Sequence, residues 1–389
     1  MRLRTCIALE AAGGLCLVAA LAVGGRVAVA AATSYLTRPA ETSAQAATLP
    51  DVSPAAGSAA ALAVRAAASL PSSVGAPADE ADETAEADSA DERHEAVPPP
   101  TFFPAADDEL LAPLAEPLLK VKFNRGGTSL SLRLDFVGGG RAAFKPQQIH
   151  WQSDPRKELA AYLLDRLLGI GRVPPAMART FPAADVVAAL DPRLAVVGKQ
   201  RLATEAVGRN GTLIGVLSWW IPELRDAMIR GFAIDSTDGV VTWRRLLKVG
   251  SRFEPAESTI LAGISTMTGF DFLIDNLDRW SGGNAKVAPR TDELFFMDNT
   301  MSFTSDDRGH RKSRIYLERV QLFSRAFVDG LRGLDREVVA AVMAKERGDL
   351  RHVLSPAEVR ALIGRRDALL AYIDGLIARH GEAAVLVFP

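Results

Sequence analysis

An α+β fold, with a small strand-rich part followed by a larger helical one, is what the sequence predicts. Three observations predict it. Residues 118–146 alternate apolar and polar side chains in short runs broken by glycines. A helix signal opens at Asp154-Pro155, and beyond Thr259 apolar residues recur mostly at helical spacing. The 389 residues suffice for one large domain or two ordinary ones, and their composition of 48% hydrophobic and 24% charged residues is that of a globular protein.

The first hundred residues stand apart. Arg2 and Arg4 precede an apolar stretch from Ala11 to Gly25, and Ala28-Val29-Ala30-Ala31 follow. A basic start, a short apolar core and an A-x-A-like exit make residues 1–32 an export signal; retained through Ala32, the same stretch is a membrane anchor. Either way the bulk of the protein is expected outside the cytosol, secreted, periplasmic or tethered to a membrane by its N-terminus. Residues 33–100 are rich in Ala, Pro, Ser and carboxylates, with nine acidic side chains between Asp79 and Glu95 against Arg93. That composition buries too little apolar surface to offset chain entropy and reads as a disordered linker.

Charge and cysteine usage exclude several functions. Net charge is −2; residues 1–100 hold 6 basic and 12 acidic side chains, which leaves 39 and 35 in residues 101–389, a net of +4. A phosphate-bearing ligand suits that balance, and nucleic acid is not an expected partner. The two cysteines, Cys6 and Cys16, both precede the folded part. A disulfide framework, a thiolate metal site and a cysteine nucleophile are therefore excluded there. The five histidines form no HExxH and no close pair, against a zinc hydrolase.

Along the folded part, Leu118–Phe123 and Leu130–Phe136 read as strands. Gly138-Gly139-Gly140 is a hairpin turn into Ala142–Lys145. Asp154 is the expected N-cap of a helix with Pro155 at its first position, Leu159, Tyr162, Leu163 and Leu167 on its apolar face, and Gly169 as its stop. Strand-like runs follow at 194–197 and 213–219, and long amphipathic stretches at 319–345 and 357–380.

Chemistry concentrates in two segments. Phe270–Asn284 is an apolar helical run ending in Asp275, Asn276 and Asp278, then a glycine-rich loop. Twenty residues after Asp278, Leu294–Met297 is an apolar strand ending in Asp298-Asn299. Two carboxylates at the exits of adjacent elements are what metal–nucleotide phosphotransfer needs, one to orient or deprotonate the acceptor hydroxyl and one to hold a divalent cation. Asp298 and the amides of Asn284 or Asn299 offer the oxygen ligands such a cation prefers. Upstream, Lys145 ends a strand and Glu158 opens the next helix, the arrangement that places a lysine on nucleotide phosphates and orients it with a carboxylate. Singly, Lys145 reads as a surface lysine, Glu158 as a helix-dipole carboxylate and the aspartates as turn residues. Their order along the chain gives them meaning.

Four blocks in that order carry a resemblance. The first runs from Leu132-Arg133-Leu134-Asp135-Phe136 through Gly139–Ala143 to Phe144-Lys145-Pro146. The second is Glu158-Leu159-Ala160-Ala161-Tyr162-Leu163-Leu164-Asp165-Arg166-Leu167, with Arg172-Val173-Pro174-Pro175 after it. Phe270-Asp271-Phe272-Leu273-Ile274 with Asn276-Leu277-Asp278-Arg279 is the third, and Met297-Asp298-Asn299 the fourth. Over roughly residues 118–305 the chain resembles the secretory-pathway kinases related to Four-jointed and the Golgi casein kinase, as a distant member. The D-R-loop-N logic is also that of HipA-like, CotH-type and phosphoinositide kinases.

The resemblance implies an atypical bilobal protein-kinase-like fold, with a small β-rich N-lobe at about 101–222 and a mainly helical C-lobe at about 223–389. It implies an ATP-dependent kinase using Mg²⁺ or Mn²⁺ on a protein Ser/Thr or a glycan. Lys145 and Glu158 would serve the nucleotide, Asp278 would be catalytic, and Asp298, Glu158 and Asn284 would hold the metal. Leu217–Pro222 resembles a hinge whose Trp219 and Trp220 pack the adenine; the two rings read equally as core. Departures from the family are the missing disulfides and Thr300 where a glycine is usual. A pseudokinase or scaffold that binds a partner without turnover is the competing expectation. Arg308, His310, Arg311, Lys312 and Arg314 read as a solvated basic loop, and Asn210-Gly211-Thr212 as a glycosylation acceptor pattern in a eukaryotic host.

Overall fold

The computed structural model describes residues 103–389 apart from 124–128, 346 and 351, so the expected export or anchor segment at 1–32 and the linker at 33–100 lie outside the described residues. Helix α1 (Asp107–Leu111) leads into β1 (Leu118–Phe123), β2 (Leu132–Phe136), β3 (Arg141–Pro146) and α2 (Arg156–Leu167). Next come β4 (Ala176–Pro182), α3 (Ala183–Ala188), α4 (Ala195–Glu205), β5 (Gly208–Arg209) and β6 (Thr212–Trp219). These strands form one antiparallel sheet in the order β1-β2-β3-β6-β4, with β5 against β6. Three short strands, β7 (Arg225–Asp226), β8 (Met228–Ile229) and β9 (Phe232–Ala233), precede α5 (Thr237–Leu246) and α6 (Ser258–Ile274). The hairpin of β10 (Ala285–Val287) and β11 (Leu294–Phe296) is followed by α7 (Arg311–Leu317), α8 (Arg325–Gly333), α9 (Arg336–Ala344), α10 (Pro356–His380) and α11 (Glu382–Val385).

The strand alternation does what period-2 patterning requires. Leu132, Leu134, Phe136, Ala142 and Phe144 share one buried face with Leu213 and Leu217, covered by Val186 of α3 and Leu202 of α4. Ile214, Val216 and Ala176 belong instead to the larger core, with α2 and the C-terminal helices. Every residue of α2 from Lys157 to Asp165 is buried, so this helix is shared between the sheet and the helical half. Helix α6 is apolar all round, as a central helix must be, and buries twelve of its seventeen residues.

Local chemistry sets the turns. Gly139, at φ +82°, closes the β2–β3 hairpin, where Phe136 and Gly140 share a backbone bond of 2.9 Å. The Asp154 carboxylate accepts from the Arg156 N–H at 3.1 Å, although Pro155 precedes the helix rather than opening it. Gly169, at φ +67°, stops the helix as expected. Buried Asp165 then accepts from the Arg172 and Val173 amides at 2.9 and 3.2 Å, which fixes the exit into β4.

Two expected elements differ. Leu194 ends a short helical turn and residues 195–197 open helix α4 instead of forming a strand, because Asp191 caps that turn at the Arg193 N–H and the buried pair is Gly198 and Leu202, one helical turn apart. Val196 and Val197 are 82% and 58% exposed, so no sheet face claims them. The amphipathic stretch at 319–345 divides into α8 and α9. Phe323 and Arg325 bond to Val385 and Phe388 near the end of the chain, and Ser324 and Asp335 cap the two helices.

Gly215 decides how Lys145 is presented. It pairs with Pro146 across β3 and β6, and a Cβ there would run into the Lys145 carbonyl and the Phe144 ring. Gly215→Ala is expected to push β6 from β3 and cost about 1–3 kcal/mol, the scale of overpacking, read as a fall in the denaturant midpoint. An unchanged midpoint would show that the two strands have room to separate.

Candidate active site

Strand β3 delivers Lys145 to the side of the sheet that faces α2. Its ammonium lies 2.6 Å from Glu158 Oε1, in the first turn of α2, and 2.7 Å from Asp298 Oδ1, two residues past β11. Two residues on the strand-rich side and one 153 positions downstream thus meet at a single nitrogen. Burial opposes the charge on Lys145, but the two carboxylates override it and hold its pKa above the ordinary lysine value. The Lys145 charge in turn holds Asp298 below the usual carboxylate range against the cost of burial. Lysine and aspartate therefore both stay charged near neutrality. Glu158 is 8% exposed at its side chain and Asp298 43%, so the cluster opens to solvent on the Asp298 side.

The loop around Asp298 is held by amides. Asn299, fully buried, donates to Glu158 Oε2 at 3.3 Å and to the Phe296 carbonyl at 3.0 Å. Its Oδ1 accepts from Asn276 at 3.2 Å and from Arg279 at 2.8 Å. Thr300 donates to Asp298 Oδ1 at 3.2 Å. Asp298 itself sits at φ +55°, a left-handed conformation that aspartate tolerates better than most side chains.

Asn276 ties this loop to the next. Its amide nitrogen donates to the Asp298 carbonyl at 3.3 Å, and its Oδ1 accepts the Asp278 N–H at 3.0 Å. The Asp278 carboxylate accepts from Asn284 Nδ2 at 3.2 Å and from the Ser281 hydroxyl. Asn284 thus stands with Asp278. Asn299, the other amide expected to ligate, has both ends of its side chain engaged. Trp219 and Trp220 lie at the end of β6, three and four residues from Val216, the partner of Lys145. The Trp219 ring packs edge-on against Phe103 at 6.0 Å, beside Ile221, Phe295 and Met297. Trp220 lies under the Arg133 guanidinium at 5.7 Å.

Asp271 and Arg279 have structural roles that their places in the sequence motif do not announce. Arg279 is fully buried and pairs with Asp271 at 3.1 Å. Its other nitrogens reach Asn299 and the carbonyls of Met297 and Asn284. One guanidinium therefore holds the segments before Asp298 and after Asp278 to helix α6. A buried carboxylate and arginine eight residues apart, across a helix end, was the available signal. The αL residue Asp275 does similar work, accepting from Thr304 at 2.5 Å, the His310 N–H at 2.8 Å and Ser313 at 3.0 Å. Within the basic cluster Arg308, His310, Arg311 and Arg314 are exposed, whereas Lys312 donates to the Leu277 carbonyl at 2.9 Å, next to Asp278.

The donor chemistry suits a hard divalent cation. Among the described residues no three His, Cys, Asp or Glu side chains gather as a metal cage. Magnesium bound with substrate phosphates asks the protein for only one or two carboxylates; Asp298 stands on the open side of Lys145 and Glu158 on its buried side, a pair that fits that need.

Burial pushes the Asp271 carboxyl up to about 6, against the pull of Arg279. A carboxyl raised in the fold favours the folded state while protonated. Its own contribution to stability is therefore lost as pH rises from about 4 to about 6, to the extent of about 3 kcal/mol. Below pH 6 protonation relaxes its grip on Arg279. Any activity of the site is expected to fall as pH drops through about 6 while thermal stability does not fall in step. A pH–rate profile recorded beside pH-dependent melting checks this; parallel losses would overturn it.

No known family profile matches the chain, and no curated protein matches it in sequence. Solved structures do. A crystal structure of the Golgi casein kinase with Mn and ADP bound superposes at a TM-score of 0.57 and 16% identity, over 72% of this chain and 78% of that one. A second structure of the Golgi casein kinase gives 0.58 and 17%, over 72% and 77%. Hydra Fam20 with sugar gives 0.56 and 18%, over 73% and 94%. The chain therefore has the bilobal kinase-like fold of the Golgi casein kinase and of hydra Fam20.

Proposed function

We propose that this protein is an exported ATP-dependent phosphotransferase that moves the γ-phosphoryl group of ATP to a hydroxyl of a protein Ser/Thr or a glycan. The observation that carries the reading is the sharing of Lys145 between Glu158 and Asp298 at 2.6 and 2.7 Å. A charged lysine oriented by a carboxylate is suited to neutralising nucleotide phosphates. Further support comes from the fold: the Golgi casein kinase structure holds Mn and ADP, and that of hydra Fam20 holds a sugar. Export rests on the apolar stretch at 1–32; no helix among the described residues is long and apolar enough to cross a membrane.

In this reading Lys145 binds phosphate oxygens and Glu158 orients it. Asp298 and Glu158 would hold Mg²⁺ or Mn²⁺, with Asn284 offering its amide oxygen beside Asp278. Bound there, the metal supplies charge neutralisation on the phosphates. Asp278, steadied by Asn284 and Ser281, orients the acceptor hydroxyl and takes its proton as the new O–P bond forms and ADP departs. Trp219 and Trp220 border the adenine. Positioning and charge do the work, with no covalent intermediate.

Incubating the protein with ATP, Mn²⁺ and a panel of proteins and sugars is expected to label an acceptor. Lys145→Met and Asp278→Asn should each reduce transfer by at least about 100-fold, the scale of a positioned general base. Asp278→Asn should still be stabilised against heat by Mn²⁺–ATP through ligand linkage. A wild-type protein whose melting ignores Mn²⁺–ATP leaves the scaffold reading in its place.

A further inference from the structure

Helix α2 carries two adjacent charges that leave it in different directions. Glu158 goes to Lys145 and Asn299. Lys157, only 5% exposed, goes to the helical half. Its ammonium donates to the Phe303 carbonyl at 3.1 Å and to the Glu358 carboxylate, and stands 5.9 Å from the Phe303 ring centroid. Phe303 closes the loop that begins at Asp298; it is held at φ +52°, its amide bonded to the Ile274 carbonyl. Glu358 lies in the first turn of α10, where its second oxygen accepts the Ser355 N–H at 2.7 Å in a capping box.

A buried ammonium is a costly way to fill space, since an apolar side chain of similar length does so without desolvation. What the charge adds is direction. A carbonyl from the Asp298 loop and a carboxylate from α10 are drawn to the same turn of the helix that carries Glu158. We propose that Lys157 is a positioning residue for the phosphotransfer centre. It ties the loop from Asp298 to Phe303 and the start of α10 to α2, so that Glu158 and Asp298 reach the same lysine. The inference rests on the phosphotransfer reading and adds a residue on which that chemistry depends without touching the reacting atoms.

Full-length Lys157→Met and Glu358→Gln test it from both sides of the pair; the glutamine keeps the acceptor for Ser355. Hydrogen exchange is expected to rise in residues 298–304 and 156–162 of each variant, with residues 240–246 of α5 unchanged. The KM or Kd for Mn²⁺–ATP is expected to rise by about 10-fold, the scale for groups that orient ligands, with little change in the KM for the acceptor. Unchanged exchange at 298–304, or a uniform rise across the domain, overturns the proposal. So does a responsive wild type whose variants take Mn²⁺–ATP as tightly. A wild type indifferent to Mn²⁺–ATP sinks the phosphotransfer reading itself, whatever the variants do.

Discussion

One ammonium group organises this molecule. Lys145 is largely withdrawn from solvent, where an unpaired charge is costly, and it stays charged because two carboxylates from distant parts of the chain reach it. Each of those carboxylates has its own requirement. Glu158 reaches Lys145 only if α2 lies across the sheet at the right height. Asp298 reaches it only if the loop after β11 turns through a left-handed residue. The contact is therefore a condition on the whole arrangement of the two halves.

That condition is met by shared structure. Helix α2 is buried from Lys157 to Asp165 against both the sheet and the C-terminal helices, so the sheet and the helical half cannot shift independently without moving it. The loops that carry Asp278 and Asp298 are anchored in the core by Trp280 and Phe303, and polar side chains fix the segments between those anchors. Asn276, Arg279 and Asn299 satisfy one another and several carbonyls around the site. Such a network is stable because its members are paired, and each member's loss would strand the others in a low-dielectric interior.

Solved structures of similar fold include one with bound Mn and ADP and one with a sugar, at only 16–18% identity. A shared fold at such low identity is understandable from packing, since cores accept many apolar combinations when volume and pattern are kept. With both cysteines in the first sixteen residues, the described domain relies on this packing and on buried polar contacts in place of disulfide staples.

Much of this was legible without coordinates. Period-2 alternation marked β1, β2 and β3, and glycine placed the hairpin turn. The ordered Lys145, Glu158, Asp278 and Asp298 stood out because chemistry-bearing residues sat at the ends of apolar elements. Local rules failed where burial was the deciding quantity. Val196 and Val197 looked like a strand because sequence does not say that they face solvent, and the stretch at 319–345 looked continuous because its break is stabilised by contacts with residues 385–388. Which elements form and which side chains stand at their ends is largely written locally, because propensity and periodicity act over a few residues. That Asp271 serves Arg279, that Asn299 spends its amide inside the protein, and that Lys157 reaches Glu358 are matters of folding, because those partners lie up to 201 positions apart and meet only once the cores have closed.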